Sequence, residues 1–245
     1  MKQVRFTIRS NERIAPSVFR MEMEGDTSGI SRSGQFVDIA IDGFFLRRPI
    51  SVCDRTEGYL TIIYKVVGKG TAALSGMTSG DTLDVLTGLG NGYDCSSCRK
   101  KALLVGGGVG TPPMYLLAKE LLSQGKDVTA VLGFNTENEI FLKKELEDLG
   151  AKVIVSTADG SYGTKGFVTD AIRENGTDAD YFYACGPKPM LKALCGALDI
   201  DGELSLEERM GCGTGICYGC TCMTAHGPKR ICKDGPVFKK EDIIW

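Results

Sequence analysis

Apolar and polar residues alternate over several strand-length runs in the first part of the chain. Val4, Phe6 and Ile8 are separated by polar neighbours; Val37, Ile39 and Ile41 repeat the pattern, as do Leu60, Ile62, Tyr64 and Val66. A period of two belongs to a half-buried β-strand. Glycine-containing turns separate the runs and no long helical pattern intervenes, so residues 1–98 are expected to form an antiparallel β-barrel or sandwich. The pattern changes after Arg99-Lys100-Lys101. Ala102-Leu103-Leu104-Val105 is a continuous apolar run, suited to a strand covered on both faces. Pro112-Pro113 then opens a helix expected to end near Gly125. Strands at 127–134, 152–156 and 181–185 alternate with helices at about 141–149, 166–175 and 188–198. This alternation predicts a doubly wound parallel sheet over residues 99–201. From Gly202 to the last residue, 245, the chain turns to Gly and Cys with little material for a core. So short a unit needs a staple, for which a metal centre is the obvious choice. There is no internal repeat.

Composition narrows the function classes. The 245 residues are 42% hydrophobic, enough for a real core, and the formal charge is only −2. No run of Lys and Arg suggests a nucleic-acid face. The opening MKQVRFTIRS lacks the apolar stretch of a signal peptide, and no segment approaches the roughly eighteen apolar residues of a membrane helix. A soluble, cytoplasmic protein is expected. Ten cysteines without an export signal point to metal or redox work rather than disulfides.

Half of those cysteines fall between positions 212 and 232. Cys212-x4-Cys217-x2-Cys220, with Cys232 further on, is the plant-type spacing for a [2Fe–2S] cluster. Thiolates from one loop must converge on a small cluster, and Gly211, Gly213, Gly215 and Gly219 leave the backbone free to fold tightly there. Cys222 competes with Cys232 for the fourth place. Cys232 is preferred because a distant ligand closes the loop, which leaves Cys222 as a small buried hydrophobe. A structural zinc site is the alternative, but only one C-x-x-C knuckle is present. His226 is the sole histidine and reads as a surface loop residue. Cys95-x2-Cys98 falls at a presumed boundary and is not assigned a role, while Cys53 and Cys195 read as packing residues.

Gly106-Gly107-Gly108-Val109-Gly110-Thr111 follows a buried strand and precedes a helix, where backbone amides can meet a pyrophosphate. It departs from G-x-G-x-x-G because Thr111 stands at the third glycine, so an ordinary strand–helix turn competes with the nucleotide reading. Cys185-Gly186-Pro187 ends a later strand of the same sheet, and ligands bind at the carboxyl ends of parallel strands. Together Gly107, Gly108, Gly110, Thr111, Cys185 and Gly186 favour a nucleotide. No Lys or Arg lies within 135–139 to hold a 2′-phosphate, which favours NAD over NADP. In the first unit, Arg48 could grip a pyrophosphate, and Gly70-Thr71 at a helix start could form a second anion site. From the residues alone, a surface salt bridge for Arg48 and a plain N-cap for Thr71 are the favoured readings.

The whole chain resembles the electron-transfer subunits of class 1B dihydroorotate dehydrogenases, within the ferredoxin-reductase-like flavoproteins. The resemblance is carried by Arg47-Arg48-Pro49-Ile50-Ser51, Tyr64–Thr71, Gly106–Pro112, Cys185-Gly186-Pro187, Glu207–Gly213 and Cys232–Phe238. It implies an FAD-binding barrel (1–98), an NAD-binding α/β unit (99–201) and a [2Fe–2S] unit (202–245). It further implies that Arg48, Pro49, Ile50, Ser51, Ile63, Tyr64, Lys65, Gly70 and Thr71 contact FAD, and that Cys212, Cys217, Cys220 and Cys232 ligate iron. The implied partner is a catalytic, FMN-containing dihydroorotate dehydrogenase subunit, in a heterotetramer of two plus two serving pyrimidine biosynthesis. Nicotinamide exchanges electrons in pairs and the cluster singly, so flavin must stand between them; no general acid or base is called for. The rivals are a flavin/iron–sulfur subunit of an NADH:ferredoxin or sulfhydrogenase assembly, and a redox-sensing module without turnover.

Overall fold

A computed structural model describes residues 1–245. The alternating runs become strands of a closed six-stranded antiparallel barrel: β1 (Lys2–Ala15), β2 (Val18–Glu24), β3 (Phe36–Ile39), β4 (Arg48–Thr56), β5 (Tyr59–Lys65) and, after helix α1 (Lys69–Ser75), β6 (Thr82–Leu89). Their order is β1-β2-β5-β4-β3-β6, so the barrel has no free edge. Phe6, Ile8, Val37, Ile39, Leu60, Ile62 and Tyr64 point inward and are buried, as the period of two demands. Ile41 and Val66 lie just beyond their strands, yet Ile41 is still buried.

The second part is a seven-stranded sheet. Its elements in chain order are β7 (Lys101–Gly107), α2 (Pro112–Ser123), β8 (Asp127–Phe134), α3 (Lys143–Asp148), β9 (Lys152–Thr157), β10 (Thr164–Lys165), α4 (Val168–Asn175), β11 (Tyr181–Cys185), α5 (Lys188–Ala197) and β12 (Gly202–Ser205). The strand order is β10-β9-β8-β7-β11-β12-β15, parallel except for β15 (Val237–Lys239), which runs antiparallel to β12. The sheet thus runs past the boundary expected at residue 202. The cysteine segment leaves the sheet after β12 and returns to it at β15, carrying a hairpin of β13 (Thr221–Thr224) and β14 (Gly227–Arg230) and the single turn α6 (Ile231–Asp234). Its core is borrowed: Cys220, Ile231, Cys232 and Phe238 pack with Leu103, Phe182 and Leu204 of the sheet. A small loop gains by burial against an existing sheet the stability it cannot generate alone.

Barrel and sheet share a core in which Val18, Cys53 and Ile63 meet Leu117 and Leu121 of α2. Lys119 of α2 pairs with Asp54 of β4 at 2.9 Å, and Arg20 of β2 with Glu145 of α3 at 2.6 Å. The Tyr93 hydroxyl donates to the Ala184 carbonyl and the Tyr183 hydroxyl to that of Asp94, so the linking segment is held from both sides.

Candidate redox site: two clefts and a cysteine loop

Strand register assembles the first cleft. Gly106 of β7 stands beside Cys185 of β11, and Cys185 beside Ser205 of β12, so three parallel strands end in one row. Beyond that row lies a cavity of about 630 Å³ lined by Gly107, Gly108, Val109, Gly110, Gly186, Pro187 and Glu207, among others. Gly110 cannot be replaced without rebuilding the turn, because a Cβ there would lie 2.2 Å from the Cys185 carbonyl oxygen. Thr111 and Cys185 do not reach the cavity. Both are buried behind its wall, where burial pushes the Cys185 thiol up to about 12. At the far end, Asn135 and Glu139 hydrogen-bond at 2.8 Å beside the exposed ring of Phe167. The absence of Lys and Arg expected at 135–139 leaves an acidic end to the cleft.

All nine residues expected to hold flavin line a second cleft of about 460 Å³ between the barrel and the sheet. Arg48 lies over the Phe44 ring at 4.6 Å and against Gly70, whose missing side chain makes room for the guanidinium: a Cβ there would fall 2.0 Å from Arg48 Nε. Thr71 Oγ1 accepts the backbone N–H groups of Val67 and Gly68 at 2.9 and 3.2 Å. Gly68, not Thr71 as expected, is the helix N-cap; Thr71 is the third helical residue and bonds back to it, and Gly70 and Thr71 both face the cleft. Lys65, Val109 and Glu207 line both clefts, which therefore meet there.

Met210 and Pro236, which flank the cysteine segment in the chain, complete the other wall of the second cleft, and no cysteine itself lines it. Cys220 and Cys232 are buried with their sulfurs 3.2 Å apart. Cys212 Sγ accepts N–H groups of Thr214 and Cys217, each at 3.4 Å, and Cys217 Sγ accepts that of Gly219 at 3.5 Å. Partial burial acts to raise the Cys212 pKa, but those donated amides outweigh it and bring the thiol down to about 5. Arg230 ties the loop, bonding the Gly215 carbonyl at 2.8 Å, pairing with Asp234 and lying over the Tyr218 ring. Cys222, half-buried on β13, packs against the apolar layer that also holds Cys220 and Cys232 but makes none of the sulfur and amide contacts of the other four. No three His, Cys, Asp or Glu side chains close on a point that would hold one ion. One neighbouring sulfur pair, Cys220 and Cys232, together with Cys212 and Cys217 on a loop whose backbone amides point at their sulfurs, is a donor set that suits a two-iron cluster, which takes two thiolates per iron. His226 lies on the β13–β14 turn, 2.9 Å from Asp242 and away from the cysteines.

Asp38 links barrel and loop. It is buried on β3, its Oδ1 has no hydrogen-bond partner, and its carboxyl lies against Gly213. Burial pushes its pKa up to about 6, with Arg47 pulling the other way. Sequence reading missed Asp38 and Glu207, since only the packing of distant segments brings them to the site.

The fold is that of the ferredoxin-reductase-like oxidoreductases. Phthalate dioxygenase reductase shares it over 80% of this chain and 64% of its own, at 22% identity and a TM-score of 0.66. A chain of NADH-dependent reduced ferredoxin-NADP oxidoreductase is more similar, with 34% identity and a TM-score of 0.89 over 98% of this chain and 90% of its own. Residues 104–196 match the oxidoreductase NAD-binding domain, and residues 207–244 the iron–sulfur cluster binding domain of dihydroorotate dehydrogenase B. The chain belongs to the dihydroorotate dehydrogenase B (NAD(+)) electron transfer subunit family: it is 44% identical to the member from Geobacillus sp. (strain WCH70), over 100% of this chain and 99% of that one. The Fusobacterium nucleatum member is 46% identical over 97% of this chain and 96% of its own.

Proposed function

We propose that this chain is the electron-transfer subunit of an NAD-linked dihydroorotate dehydrogenase, taking electrons from a partner's FMN and delivering them to NAD⁺. One observation carries the reading: the nucleotide cleft opens into the flavin cleft at Lys65, Val109 and Glu207, and the flavin cleft is walled by the cysteine loop at Met210 and Pro236. A bound flavin supplies the exchange between paired and single electrons that neither nicotinamide nor an iron–sulfur centre can make alone. The chain's own residues bind and orient. Arg48 and the α1 turn at Gly70-Thr71 hold the flavin's phosphates, while Pro49, Ile50, Ser51, Ile63, Tyr64 and Lys65 line its bed. Gly107, Gly108, Gly110 and Gly186 let the nicotinamide nucleotide approach the backbone, with Thr111 and Cys185 as the wall behind. Cys212, Cys217, Cys220 and Cys232 hold the [2Fe–2S] cluster. Residues 1–98, 99–201 and 202–245 serve FAD, NAD and cluster respectively, the last unit being anchored in the sheet of the second.

The partner is a catalytic FMN subunit, joined two plus two in the cytoplasm. The test is to purify the complex anaerobically from its native source, identify the partner and assay dihydroorotate-dependent NAD⁺ reduction. Zinc in place of iron, or no acid-labile sulfide, overturns the cluster assignment. The likeness to the ferredoxin-NADP oxidoreductase chain favours a second reading, a subunit of an NADH:ferredoxin assembly; purification with a ferredoxin-dependent partner and no dihydroorotate activity would select it.

A further inference from the structure

Glu207 stands where the two clefts join. β12 ends at Ser205 in register with Cys185, and the Leu206 N–H bonds the Pro236 carbonyl at 2.9 Å, so the chain turns there. That turn brings Glu207 just past the carboxyl ends of β7, β11 and β12, onto the wall shared with Val109 of the glycine turn. The next residue, Glu208, pairs with Lys188 at 3.4 Å. Glu207 has no such partner. Its side chain is solvent-exposed where it lines the two clefts, the protein around it raises its pKa by desolvation, and no neighbouring cation opposes that. A carboxylate left uncompensated in a cleft attracts a cationic ligand more than a neutral one of the same shape.

We propose that Glu207 makes this chain bind oxidised nicotinamide in preference to reduced, its carboxylate facing the pyridinium of NAD⁺. The inference rests on the first cleft being the nicotinamide site. Hydride adds to the pyridinium ring, the reduced flavin losing two electrons with that hydride, and leaves a neutral dihydropyridine. The attraction ends with the transfer, so the reduced nucleotide is held less tightly than the oxidised one it replaces. Lys65 lines the same junction, but it neither pairs with Glu207 nor offsets its desolvation.

The test uses the complete complex with its flavin oxidised and three probes: NAD⁺, the unreactive neutral analogue 1,4,5,6-tetrahydroNAD, and ADP-ribose, which lacks the ring. Glu207→Gln should weaken NAD⁺ about tenfold, which is about 1.4 kcal/mol, and leave the other two within about twofold. Glu207→Lys should reverse the preference, making the neutral analogue the tighter ligand. Equal weakening of NAD⁺ and the analogue, or no change in either variant, overturns the proposal. Failure of the unaltered complex to bind either NAD⁺ or ADP-ribose overturns the cleft assignment beneath it. Flavin absorbance and thermal midpoint, unchanged in the glutamine variant, report that the site is intact.

Discussion

Arg48 and Gly70 form a matched pair in which the absence of one side chain positions the other. A Cβ at position 70 would occupy the guanidinium's place, and a flexible arginine end moves more cheaply than backbone. Gly70→Ala is therefore expected to keep the thermal midpoint within a few degrees while FAD retention falls about tenfold, as one charge-assisted contact to phosphate is lost; equilibrium dialysis of the flavin checks it. The cysteines give a sharper contrast. Cys217→Ser should abolish the reduced-cluster EPR signal, while Cys222→Ser should keep iron and sulfide content because Cys222 takes no part in the sulfur and amide contacts that link the other four cysteines. The cysteine spacing stood out in the sequence because it is local, whereas Arg48 and Gly70 were assigned to flavin only through the family resemblance. Glu207 and Asp38 did not stand out: their meaning comes from the register of β12 with β11 and from a barrel strand pressed on a distant loop, which no local pattern encodes.

At the scale of elements, the sequence signalled what was periodic and concealed what was half-buried. β4 begins with Arg48-Pro49 and is only partly covered along most of its length, so its pattern does not alternate cleanly. β12 and β15 are four and three residues long, too short for periodicity to show, and they look like part of the cysteine segment until pairing places them in the sheet. β12 also carries a pH-dependent term. Glu203 is buried and accepts the Asp94 N–H at 2.9 Å; burial is the main cause that lifts its pKa from 4.5 to about 7, and the Asp94 charge adds to it. The folded state then holds a proton between about pH 4.5 and 7 that the unfolded chain has released. Stability falls as pH rises through this window and levels off above it, by at most about 3 kcal/mol. Denaturant midpoints at pH 5 and pH 8 should differ less in Glu203→Gln than in the unaltered protein. Asp38, shifted the same way, is common to both and cancels in the comparison.

For the whole molecule, the question is where electrons enter. Cys220 and Cys232 face the sheet and are buried, whereas Cys217 is exposed and is flanked by Ile216, 81% exposed, and Tyr218, 64% exposed. The flavin cleft meets the segment only at its flanks, Met210 and Pro236, which leaves the Cys217 edge open to solvent. Large apolar side chains left in water around a ligand thiol form the kind of anchor that a protein interface buries at its centre. The family name implies a second subunit, and we propose this edge as the place where it approaches. Ile216→Asp places a charge in that contact and is expected to weaken assembly with the catalytic subunit by about a hundredfold, a hot-spot-sized loss of about 2–3 kcal/mol. NADH-driven reduction of a small dye bypasses the partner and should remain within about twofold of normal. Sedimentation velocity on the mixed subunits measures the first quantity and stopped-flow absorbance the second. Assembly at normal affinity would move the docking face elsewhere, and loss of dye reduction as well would mean that the loop itself had been damaged.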